Sequence, residues 1–153
     1  MTDHVRKTTR DALVAALTGL PTTADRVFAG RTRSLAKGHA PTLLVYVRSE
    51  TAARAVKGFP PTLERGAIVD IEGRVSMASV PDDTLDQIAV EIEGAMWGLV
   101  DPRGSFLNGL LLDLKLVSTE MIAESDGERH LGGVRLEYLA TYRTAEGAPT
   151  AAV

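Results

Sequence analysis

Between Ala67 and Met77 the residues alternate between apolar and polar. Ala67, Val69, Ile71, Val75 and Met77 share one parity, while Ile68, Asp70, Glu72, Arg74 and Ser76 share the other. A period of two sends these sets to opposite faces of a β-strand. One face is then covered and the other polar, as in an antiparallel sheet rather than a doubly covered parallel one. Gly73 sits on the covered parity and marks a bulge or a close approach by another element.

The same period returns near the end of the chain. Val134, Leu136, Tyr138, Ala140 and Tyr142 alternate with Arg135, Glu137, Leu139, Thr141 and Arg143. Upstream, Leu110, Leu112, Leu114 and Leu116 alternate with Leu111, Asp113, Lys115 and Val117, in a strand running to about Glu124. Ser125-Asp126-Gly127-Glu128 between them is a turn signal, so the pair reads as a hairpin. Gly132-Gly133 reads as a bulge or kink rather than a phosphate cradle. Two further strands are expected earlier, at Arg26–Ala29 and at Thr42–Arg48. The second is apolar on both parities, as a central strand would be.

Two segments follow a helical period instead. From Asp3 to Thr18, Val5, Ala12, Leu13, Ala16 and Leu17 form a stripe, with Asp3 or Thr8 as candidate caps and Gly19 and Pro21 as the stop. From Ser79 onward, Leu85, Ile88, Ala89, Ile92, Ala95, Met96 and Leu99 form a second stripe, with Asp82, Asp83 and Asp86 at its electropositive start. Residues 30–40 and 98–109 read as loops. So do residues 49–63, where Pro60 and Pro61 forbid regular ladder pairing.

The expected order is therefore α-β-β-β-α-β-β. This is an α+β fold, a mainly antiparallel sheet of four to five strands with two helices packed on one face. A chain of 153 residues suits one domain, here residues 1–143, followed by a small polar tail at 144–153 that should fray. No apolar run approaches the ~18 residues of a membrane span, and no signal peptide is evident. The net charge of −3 hides an asymmetry: residues 1–65 carry 11 Lys/Arg against 5 Asp/Glu, and residues 66–153 carry 6 against 15. Such polarity can steer head-to-tail association, unless the two sets interleave in the fold and cancel.

Catalytic signatures are missing. There is no Cys, which excludes disulfides, thiolate nucleophiles and Cys-based metal sites. His4, His39 and His130 are scattered over three segments, and no nucleophile elbow, Walker loop or dinucleotide fingerprint occurs. The acids at 82, 83 and 86 are explained by helix capping and the dipole. Asp70, Glu72 and Arg74 are read as a solvated strand face or a subunit contact rather than an acid–base pair. Arg26, Arg31, Arg33, Lys37, Arg48, Arg54 and Lys57 form a basic set with few aromatics interleaved. That set allows phosphate contact without base stacking, or simply a solvated surface.

The order and local wording of the segments resemble the tail terminator family of lambda-like siphophages, also called minor tail protein U. The resemblance is carried by Arg10-Asp11-Ala12-Leu13-Val14-Ala15-Ala16-Leu17, by Val27-Phe28-Ala29-Gly30-Arg31 and by Ala40-Pro41-Thr42-Leu43-Leu44-Val45-Tyr46. It continues through strand 67–77, Val80-Pro81-Asp82-Asp83-Thr84-Leu85-Asp86 and Leu136-Glu137-Tyr138-Leu139-Ala140-Thr141-Tyr142. It covers about residues 4–143, and loops 49–63 and 98–109 do not match.

The resemblance implies a structural, non-enzymatic virion protein without a cofactor, made in the bacterial cytoplasm and built into the tail at the head–tail junction. Copies would form a ring, a hexamer in the family, on the last ring of tail tube protein. The ring would stop tube growth and face the head-completion or neck protein, while DNA crosses the lumen without sequence-specific binding. Asp70, Glu72, Arg74, Arg135, Glu137 and Arg143 are the expected subunit-interface residues. Arg31, Arg33, Lys37, Arg54, Lys57 and Phe59 are the expected loop contacts to tube or neck. The alternatives are a head–tail connector subunit, or a DNA-binding module using the basic first half.

Overall fold

A computed structural model describes residues 2–31, 40–126 and 129–153. The elements run α1 (Val5–Leu17), β1 (Val27–Ala29), β2 (Thr42–Val56), β3 (Thr62–Met77), α2 (Asp82–Trp97), β4 (Asp113–Asp126) and β5 (Arg129–Ala145). The strands form one five-stranded sheet in the order β1-β2-β3-β5-β4. Among the described residues, β1–β2 is the one parallel pairing and the others are antiparallel. The fold is thus the α+β arrangement that the two periodicities imply, with both helices on one face.

The stripes explain the packing. Val5, Thr9, Leu13 and Leu17 recur every four residues on α1 and are buried; Leu85, Ile88, Ile92 and Met96, at steps of three and four, are buried on α2. They meet Leu43, Val45, Val69, Ile71, Val75, Val134, Leu136, Tyr138 and Ala140 of the sheet. Neither candidate cap holds α1. Its cap is His4, whose Nδ1 accepts the Arg6 N–H at 3.0 Å. The helix ends at Leu17 with Thr18 as its C-cap, and the chain turns away at Gly19, whose φ of +94° suits a residue without Cβ.

Gly73 and Gly132 are close-approach positions, not bulges, since the β3–β5 register is unbroken from Thr62↔Ala145 to Met77↔His130. A Cβ on Gly73 would stand 2.9 Å from Ile88 Cγ2, and one on Gly132 would stand 2.7 Å from Pro81 Cγ. These two glycines let the start of α2 lie against the sheet.

Three expectations change. Residues 49–63 are mostly ladder: β2 pairs with β3 out to Val56↔Thr62, leaving residues 57–61 as the turn. Both prolines fall just beyond the last pair, where no ladder donor is needed. Leu110–Leu116 do not share one face. Leu111 and Leu114 are buried while Leu112 and Leu116 are exposed, because residues up to Leu112 belong to a loop tied by the Phe106↔Leu111 bridge. β5 continues to Ala145, and the residues after it turn back along the sheet. The Val153 N–H donates to the Arg143 carbonyl at 2.9 Å, and the Val5 N–H donates to the Pro149 carbonyl at 2.9 Å. The predicted turn at Gly127-Glu128 lies outside the described residues, as do Arg33, Lys37 and His39.

Candidate assembly surfaces

The helices cover one face of the sheet, and the other is paved with side chains from the strands themselves. Asp70, Glu72 and Arg74 of β3 stand on this open face opposite Glu137, Arg135 and Gly133 of β5. Five of the six expected interface residues are therefore neighbours. Arg143 shares the face but lies six residues from Glu137, about 20 Å along the strand. It pairs there with Glu64 at 2.9 Å.

Pairing within the chain dominates this platform. Arg74 and the Tyr46 hydroxyl both donate to Glu72, at 2.8 and 2.6 Å. Arg135 pairs with Glu120 of β4, and Ser118 Oγ donates to Glu137 at 3.0 Å. Burial and then the Glu72 hydrogen bond push the Tyr46 hydroxyl up to about 12. The Arg31 guanidinium lies 5.1 Å above the Tyr46 ring.

Asp70 departs from the solvated carboxylate expected of a polar strand face, being 0% exposed. Its ladder partners are Tyr46 of β2 and Glu137 of β5. Arg48 Nε is 2.9 Å from Asp70 Oδ2, and the same guanidinium contacts Glu137. The Arg48 contact is an ion pair without hydrogen-bond alignment, since neither Asp70 oxygen accepts a hydrogen bond among the described residues. Arg48 reaches this position from a β-bulge. The ladder passes from Val47↔Val69 to Ser49↔Ile68 and skips it.

The bulge also reverses parity, which turns Glu50 to the helix side. There Glu50 accepts from Arg6 at 2.8 Å, from Arg65 at 3.1 Å and from the Tyr142 hydroxyl. Burial, followed by this bond, raises the Tyr142 hydroxyl above the usual phenol range. Burial and the adjacent Arg6 lower His4. A groove beside this cluster is lined by His4, Arg6, Lys7, Arg10, Gly30, Arg31, Tyr46 and Val47. Its charge is partly compensated: Lys7 pairs with Asp3 and Asp11 at 2.8 and 2.9 Å, and Arg10 lies 3.4 Å from Asp11.

A second groove separates the end of α2 from β4. Met96, Trp97, Val100, Phe106, Leu114, Leu116 and Tyr138 line it, with Glu93, Asp113 and Lys115 as its charged residues. Trp97 is 68% exposed and Leu116 37% exposed, and Trp97 meets Phe106 edge-on with centroids 6.1 Å apart. Near the opposite edge, the β2–β3 turn carries Lys57 and Phe59, and Phe59 is fully exposed. Arg54, just before the turn, pairs with Glu146 at 2.8 Å.

The roles of Tyr46, Arg48, Glu120, Glu50 and Trp97 were not visible in the sequence. Arg48 did close an apolar run, and Trp97 is the only Trp, but neither fact announces a bulge or a groove. Among the described residues, no group of three or more His, Asp or Glu is placed to hold a metal ion. Among the described residues, no helix is long and apolar enough to cross a membrane.

No protein-family model and no curated protein matches the chain. Among solved structures, the chain is similar to one from the virion of a native gene transfer agent particle. The two are 20% identical with a TM-score of 0.44, and the match covers 92% of each chain.

Proposed function

We propose that this chain is a structural subunit that assembles head to tail into a closed ring. The ring would cap a long non-contractile phage-type tail tube, stop its growth and present a surface to head-completion proteins.

The observation that carries this reading is edge strand β4. It is 14 residues long, and its outer edge has no strand partner among the described residues. It exposes Leu116, Val117, Met121 and Ile122. A long bare edge with apolar residues on both faces is an aggregation hazard in a monomer and ordinary in a subunit whose edge meets another chain. The exposed β2–β3 turn belongs to different strands near the other side of the sheet. Two unlike surfaces set apart in this way suit the heterologous contact that builds a ring.

The specific role as terminator is supported by the order and wording of the segments that resemble that family. On this reading the chain binds no cofactor and turns over no substrate. It belongs to the virion at the head–tail junction, in a ring of six through which DNA passes. The charged open face, with Asp70, Glu72, Arg74, Arg135 and Glu137, would fix the register between neighbours, and Arg31 would face tube or neck. The test is to add the protein to polymerising tail tube subunits. Capped tubes that stop elongating are expected; unrestricted growth in the presence of excess protein contradicts the role. Co-purification with portal-side proteins and no tube binding would favour a connector subunit instead.

The groove lined by His4, Arg6, Lys7, Arg10 and Arg31 favours a second reading, a DNA-phosphate contact. Its partial internal pairing weakens the field available to a phosphate. Salt-dependent DNA retention that falls when Arg31, Arg33 and Lys37 are changed together would support it; no retention at low salt would end it.

A further inference from the structure

We propose that the groove between α2 and β4 receives the β2–β3 turn of a second copy, with Phe59 seated against Trp97, Phe106 and Leu116. The proposal rests on the self-assembly reading above and names the contact that would carry it.

Both surfaces carry apolar side chains left open to solvent among the described residues. Phe59 is fully exposed at the turn and Val56 beside it is half exposed, while Trp97 and Leu116 are open to solvent in the groove. A Phe side chain buries roughly 150–250 Å² when it is fully enclosed, so an anchor left in water is a substantial unrealised contact. The groove holds about 490 Å³, within the ~300–1,000 Å³ of pockets that bury drug-sized ligands, so it has room for a Phe ring. Its floor is rigid, because Met96 and Leu114 are core residues and Trp97 is braced on Phe106.

Charge points the same way. The turn carries Lys57, while Arg54 just before it is neutralised by Glu146, and the groove carries Glu93 and Asp113 against its one lining cation, Lys115. The turn is therefore cationic and the groove is net anionic, which steers a turn into a groove and disfavours turn against turn. Topology makes the contact intermolecular. β2 and β4 are three strand spacings apart in the order β2-β3-β5-β4, about 14 Å, and the turn continues past the last ladder pair Val56↔Thr62. A donor near one edge and an acceptor at the other form a heterologous pair that repeats around a ring.

The chain has no Cys, so introduced thiols report the contact without background. Full-length Phe59→Cys and Leu116→Cys proteins of different mass would be mixed under mild oxidation. A mixed disulfide dimer is expected, and Phe59→Cys with Val80→Cys should give none. Phe59→Ala, at a fully exposed position that does not hold the fold, should weaken self-association at least about tenfold, and Phe59→Trp should preserve it. Rings that form without a 59–116 link overturn this contact and leave the ring reading standing. A 59–116 link in open chains or dimers alone keeps the contact and removes the ring. A thiol at 59 that links only to tube subunits, or to nothing, overturns the proposal.

Discussion

Arg48 Nε lies 2.9 Å from Oδ2 of Asp70, a carboxylate with no solvent exposure at all. Among the described residues both oxygens of that carboxylate lack a hydrogen-bond donor, and the Arg48 guanidinium is a cation in direct contact with it. Removing one partner of a buried pair leaves an uncompensated charge at a cost of ~3–5 kcal/mol. Because the Arg48 side chain is 42% exposed, water screens part of the interaction and Arg48→Met should cost less, about 1–3 kcal/mol. Arg48→Met combined with Asp70→Asn should recover part of the loss. Denaturant midpoints of the two variants check this; equal loss in both would mean that Arg48 acts through packing rather than charge.

Two glycines should respond with opposite signs to the same substitution. A Cβ on Gly132 would meet Pro81 Cγ at 2.7 Å and Leu85 Cδ1 at 3.0 Å, while one on Gly94 meets nothing within 4 Å. Gly132→Ala must push the start of α2 off the sheet and should destabilise by ~1–3 kcal/mol. Gly94→Ala, in the interior of α2, should stabilise by ~0.5–1 kcal/mol through helix propensity. Thermal melts of the two variants give the comparison.

Tyr46 makes stability sensitive to alkali. Its hydroxyl is raised from 10.0 to about 12 by burial and by donation to Glu72. A group whose pKa is higher when folded stabilises the fold fully below its unfolded pKa, and that contribution is lost as pH rises through the folded value. Unfolding stability should therefore fall between pH 10 and about 12, and Tyr46→Phe should flatten the fall. The residual slope belongs to Tyr138 and Tyr142, which burial also raises. Phenolate absorbance against pH, with parallel denaturation curves, measures both effects.

The parts of the fold legible in the sequence are those where side chains repeat in phase with the backbone. Ala67–Met77 and Val134–Tyr142 show a clean period of two, and Leu85–Met96 a helical one, because each element has one covered face. Ser49–Val56 carried no such signal. Its side chains are mostly small, polar and exposed, and its ladder is held by backbone hydrogen bonds that any sequence can make. Leu110–Leu116 misled because four apolar residues alternate across the boundary between a loop and a strand. For the candidate surfaces, parity placed Asp70, Glu72, Arg135 and Glu137 on one face. Parity does not say what lies over a face, so the burial of Asp70 beneath Arg48 depended on a bulge that leaves no mark in composition. The apolar groove stayed hidden for a related reason: Trp97 and Leu116 are far apart in the chain, and each alone reads as an ordinary residue of its element.

The central claim is that unlike edges of one subunit meet head to tail and close. Native mass spectrometry of the purified full-length protein, alone and mixed with tail tube subunits, tests this most directly. A single closed species of six copies, shifted toward monomer by Phe59→Ala, is the predicted result. A protein that stays strictly monomeric under both conditions contradicts the account.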